Sequence, residues 1–148
     1  MAYKLETKKA SASAALTDAF SEITSLQEEM DEWASNLEDS NLANTQKCSD
    51  VRDAADTLTG VDELEVPKSF SDVEITYAES VNRNKRRGPS RSVRRDNAAT
   101  ILDVVAQTAR EQAEKAATDE AREELEGFAD ELENHKDTIE GVEFPGMF

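Results

Sequence analysis

The residues best equipped for chemistry in this 148-residue chain share one stretch, Arg83 to Arg95, which reads RNKRRGPSRSVRR. Arg83, Lys85, Arg86, Arg87, Arg91, Arg94 and Arg95 are seven of the chain's seventeen Lys and Arg residues. No acid interrupts them, although the formal net charge is −16. Guanidinium groups donate paired hydrogen bonds to phosphate or carboxylate, and a helix N-terminus adds its own attraction for anions. A Gly-Pro loop leading into a helix that carries Arg91, Arg94 and Arg95 on neighbouring turns therefore suits a polyanion, with nucleic-acid backbone the obvious one. No aromatic residue is interleaved, so base stacking and sequence-specific readout are not expected. The competing reading is neutralisation within the protein or between copies. Outside the segment ten cations face thirty-three acids, so carboxylates that could hold these arginines abound.

Other reactive side chains stand alone. His135 falls between Leu132 and Ile139 on an apolar stripe and reads as a packed histidine rather than a general base. Cys48, the sole cysteine, takes a stripe position and reads as core, and no intramolecular disulfide can form. One His and one Cys do not make a zinc site. The sequence has no Gly-rich phosphate loop, EF-hand loop or HExxH helix. No enzymatic activity, cofactor, metal or small-molecule substrate is expected. Two acidic runs, Glu28, Glu29, Asp31 and Glu32, and Asp119, Glu120, Glu123, Glu124 and Glu126, would let carboxylates imitate phosphates along a rod. Solvated helix faces are the plainer reading.

The elements that must carry these residues are helices. Charged residues make up 34% and aromatics 5%, with five Gly and three Pro, a profile of a mostly α protein. The length suits one domain. From Lys8 to Thr59 there is neither Gly nor Pro, and Leu16, Ile23, Met30, Leu37, Val51 and Leu58 recur at heptad spacing, with Ala19 or Phe20, Leu26 and Trp33 as a second row. A cluster of poor helix formers, Asn36, Asp39, Ser40, Asn41, Asn44 and Thr45, predicts a break near 38–44 and hence helices over about 10–37 and 45–59. The alternative is one helix of about fifty residues in which Asn44 fixes the register. Gly60 followed by Val61 predicts a left-handed helix cap with an apolar fold-back.

Beyond the cap, Leu64 and Val66, then Val73, Ile75 and Tyr77, alternate with polar residues. This predicts an extended connector or a short β-ribbon that needs a helix to lie on. Ser90 or Ser92 then caps a second helical run through Ile101, Val105, Ala109 and Ala113. Thr118 offers a fresh N-cap, and a stripe from Ala121 to Val142 follows, with Gly127 within it. Its ending, DTIEGV, echoes DTLTGV at an offset of 81, and Ser11 and Ser13 echo Ser90 and Ser92 at 79, which either a degenerate duplication or shared capping chemistry explains.

These signals compose a first helical arm over 8–59, a connector with the basic loop over 60–89, a second arm over 90–140 and a tail over 141–148. The expected architecture is an elongated helical hairpin or bundle with antiparallel long helices. Residues 1–16 lack the apolar run of an export signal, and Ile101 to Ala106 is far short of the roughly 20 apolar residues that span a bilayer. An intracellular, cytoplasmic protein without a membrane partner is expected.

The segment EEMDEWASNLEDSNLANTQKCSDVRDAADTL, the stretch SRSVRRDNAATIL and the ending VEFPGMF together resemble small acidic helical proteins encoded by phages and mobile elements. That resemblance implies a phage accessory or virion-associated role and implies no site residues. The expectation is a non-enzymatic helical binding protein that meets nucleic-acid backbone or an acidic protein surface through 83–95. A self-assembling coiled-coil or virion subunit and an acidic nucleic-acid mimic are the alternatives.

Overall fold

The computed structural model describes residues 3–82 and 89–145, so Arg83, Lys85, Arg86 and Arg87 lie outside the described residues. The order is β1 (Tyr3–Ser11), α1 (Ala12–Glu38), α2 (Gln46–Thr59), β2 (Glu74–Asn82), α3 (Arg91–Glu114) and α4 (Asp119–Glu140). The chain is mostly helical, with 64% of the described residues in four helices, and has a small two-stranded antiparallel sheet.

Each helix starts at a side-chain cap that satisfies one of the amide groups a helix leaves open. Ser11 accepts from the Ala14 N–H at 3.1 Å, Thr45 from Cys48 at 3.2 Å, Ser90 from Val93 at 3.3 Å and Thr118 from Ala121 at 3.1 Å. Ser92 therefore lies inside α3, and Thr118 starts a separate helix. Between α1 and α2 the Ser40 hydroxyl donates to the Leu37 carbonyl and accepts from the Leu42 N–H. The poor helix formers thus make a turn, and Asn44 is exposed in it, not a register-fixing core position. Trp33 is only half-buried, while the neighbouring Ala34 is fully buried.

The helix ends depart from the expected left-handed cap. Gly60 has φ −76° and Gly141 φ −78°, both right-handed. The last turns tighten instead, with the Val61 N–H bonded to the Leu58 carbonyl and the Val142 N–H to that of Ile139, three residues back. Both valines are buried, as the fold-back requires.

Residues 8–11 are strand rather than the lead of a helix. Lys8 to Ser11 finish β1, which pairs with β2 from Tyr3↔Asn82 to Ser11↔Glu74. The ribbon's partner strand is thus the chain's first segment, and Leu64 and Val66, half-buried, form no strand. Ile75 and Tyr77 of β2 are buried. β2 packs against α3, where Asn97 accepts from the Ser80 N–H at 2.9 Å and donates to the Ser80 carbonyl at 3.0 Å.

The core lies where α1 meets α2 and α3, and α3 meets α4. Phe70, from the turn before β2, is 1% exposed and stands edge-on to Phe128 of α4, ring centroids 6.0 Å apart. Each half of the chain runs strand, Ser-capped long helix, Thr-capped shorter helix, Gly, buried Val. Buried Ala19, Ile23, Leu26, Met30 and Ala34 recur 79 positions later as buried Ala98, Leu102, Val105, Ala109 and Ala113. The echo seen in the sequence therefore extends to the cores of the long helices.

Candidate functional site

The first two turns of α3 bring Arg91, Arg94 and Arg95 to the surface of the chain's own carboxylates. Arg94 is ion-paired with Glu22 and, at 2.6 Å, with Glu29. Arg91 reaches Glu29 at 3.4 Å, and its guanidinium lies 5.2 Å from the centroid of the Trp33 ring. Arg95 pairs with Asp96 at 3.0 Å, donates to the Val142 carbonyl and lies 5.6 Å from the centre of the Phe144 ring. Three cations at a helix N-terminus oppose its dipole, and the α1 glutamates offset that cost. They account for three of the seven cations proposed as a partner site. Arg83, Lys85, Arg86 and Arg87 fall outside the described residues.

Glu22, Glu29 and Trp33 share one stripe of α1, at i, i+7 and i+11, which is why one arginine side chain bridges two glutamates. Hydrogen bonding to Arg94 lowers the Glu29 carboxyl below its ordinary value, and the Glu29 bond in turn raises Arg94. Sequence reasoning missed these glutamates as partners, although their heptad spacing marks one face.

Beside Arg94 opens a cleft of about 350 Å³ between the ribbon, α1 and α3, lined among others by Lys8, Tyr77, Glu79, Glu22 and Asn97. Lys8 is ion-paired with Glu79, whose bond raises the Lys8 amine. Burial, reinforced by the Glu79 charge, pushes the Tyr77 phenol up. The groups therefore keep their usual forms near neutral pH: Lys8 and Arg94 cationic, Glu29 anionic, Tyr77 neutral. The arrangement holds charge in balance and ties α3 to α1 and the ribbon. At its rim the Ser90 N–H donates to the Tyr3 hydroxyl at 3.1 Å, fixing the start of α3 to the start of β1.

His135 is half-buried, edge-on to Phe20 with centroids 6.2 Å apart, and its Nε2 has no hydrogen-bond partner among the described residues. Cys48 is buried in the core. Among the described residues no helix is long and apolar enough to cross a membrane. No family model, curated protein or solved structure matches the chain.

Proposed function

We propose that this chain is a non-enzymatic helical binding protein, its two helical arms packed antiparallel, that contacts a polyanionic partner through its basic segment. The supporting observation is that three of the segment's seven cations are held by the chain's own groups. Arg91, Arg94 and Arg95 are engaged by Glu29, Glu22, Asp96 and the Val142 carbonyl. In this reading they anchor one end of the segment, and Arg83, Lys85, Arg86 and Arg87 meet the partner. The resemblance to phage-encoded acidic proteins makes an accessory factor the natural setting, with nucleic-acid backbone the partner.

A salt series tests the reading by fluorescence anisotropy of a labelled single-stranded oligonucleotide. Four contacting cations give a slope of log affinity against log salt of about −3, whereas seven would give about −5. Changing Arg83, Lys85, Arg86 and Arg87 together to Ala abolishes binding. Arg94→Ala leaves the slope unchanged. No binding even at low salt overturns the proposal, and a slope near −5 overturns the division.

A self-assembling subunit is the second reading, and the exposure of β1 favours it. Leu5 in that strand is 72% exposed.

A further inference from the structure

We infer that the outer edge of β1 is a self-association surface, on which a second copy of this chain adds its own β1 antiparallel, about a two-fold axis through Thr7. This inference rests on β1 and not on the basic segment.

The direction of the strand's amide groups follows from two contacts. The Ser80 N–H and carbonyl both bond to Asn97, so they point away from β1, and Leu5, directly opposite Ser80, likewise turns its N–H and carbonyl away from β2. The Ala12 N–H bonds to the Val73 carbonyl at 2.8 Å, in the same alternation. Lys4, Glu6, Lys8 and Ala10 therefore bond across the ribbon, while Tyr3, Leu5, Thr7 and Lys9 direct their amides outward. On the opposite edge of the ribbon Asn97 occupies β2. β1 packs on β2 and, at its end, on α1 among the described elements, its Tyr3 hydroxyl also meets the Ser90 cap of α3, and Lys4 to Lys9 are all exposed. An open edge of this kind is a template for another strand.

The side chains choose the occupant and the register. Lysines on an edge normally repel a second strand. In a two-fold pairing centred on Glu6, Lys4 would face Lys8. Centred on Lys8, the lysines would face each other. Centred on Leu5, only Tyr3 to Thr7 would pair. Centred on Thr7, all nine residues pair, Glu6 faces Lys8 of the second copy twice, Thr7 meets Thr7, and the exposed Leu5 lies across the aliphatic stem of Lys9. The outward amides of Leu5, Thr7 and Lys9 then meet those of Lys9, Thr7 and Leu5. The result is a four-stranded sheet in the order β2, β1, β1, β2.

Sedimentation equilibrium over a concentration series tests this, at moderate salt so that the −16 charge of each copy is screened beyond about 10 Å. A ribbon edge buries less than the ~1,200 Å² of stable complexes. The mass is accordingly expected to double between about 10 µM and about 1 mM. Hydrogen exchange on the unaltered chain should show concentration-dependent protection at Leu5, Thr7 and Lys9, against constant protection at Glu6 and Lys8. Thr7→Pro removes no bond to β2, so it should give a monomer with native helix content. Glu6→Lys should weaken association at least about tenfold by setting lysine against lysine. A single-chain mass throughout, exchange at Leu5, Thr7 and Lys9 that ignores concentration, or a Thr7→Pro chain that dimerises as before would each overturn the inference.

Discussion

Arg94 is held by two glutamates of α1 that precede it by more than sixty residues, and the pair's electrostatics make a test. The Glu29 carboxyl is depressed below its ordinary 4.5 by its bond from Arg94. A group depressed in the folded state stabilises fully above the unfolded value and loses that contribution as pH falls through the folded one. Glu29→Gln should therefore lower the melting temperature at neutral pH, and the gap to the native chain should close as pH is taken below 4.5. Both partners are partly solvated, so the gap corresponds to no more than about 1 kcal/mol. Thermal melts compared at each pH cancel the general relief of acidic repulsion, and a gap that widens in acid contradicts the assignment. The seven cations were plain in the sequence. Their occupants were not, because Glu29 and Glu22 lie 62 and 72 residues away from Arg91 and Arg94, and no local period encodes such a distance.

At the scale of elements, capping chemistry was readable almost to the residue. Ser90 and Thr118 announce helix starts because their hydroxyls satisfy orphan amides, and the poor formers from Asn36 to Thr45 announce the turn between α1 and α2. β1 was overlooked. Tyr3, Leu5 and Thr7 alternate with Lys4, Glu6 and Lys8, a strand signal, but its meaning depends on a partner at residues 74–82. The glycines were read too literally, since a Gly after a helix suggests a left-handed residue and here the turn closes without one. Three substitutions check this by chemical denaturation. Gly60→Ala and Gly141→Ala should stay within about 0.5 kcal/mol of native, because φ is ordinary and the added methyl meets backbone oxygens no closer than 3.5 Å. A loss of about 1 kcal/mol or more at either would restore the left-handed cap. Gly127→Ala, exposed within α4 with open space around it, should gain about 1 kcal/mol.

For the whole molecule, charge works against compactness. A net −16 on 148 residues repels itself, and the ion pairs that answer it are at least partly solvent-exposed and individually weak. The melting temperature is expected to rise as salt is added from a low starting level, since screening relieves the long-range repulsion more than it weakens the short pairs. A fall would show that the ion pairs dominate. The mostly helical class followed from composition. The two halves' common plan needed the structure, because only burial shows that Ala19 to Ala34 and Ala98 to Ala113 play the same parts.

The separation of β1 from β2 also bears on how the protein is made. β1 leaves the ribosome with its partner still unsynthesised, and the roughly seventy residues up to the start of β2 take on the order of 4–14 s to translate. For that time both edges of a nine-residue strand are open. Lys4, Lys8 and Lys9 put three charges on the nascent segment until Glu74 to Asn82 arrive, and the same lysines oppose the pairings centred on Glu6 and Lys8 in the finished protein.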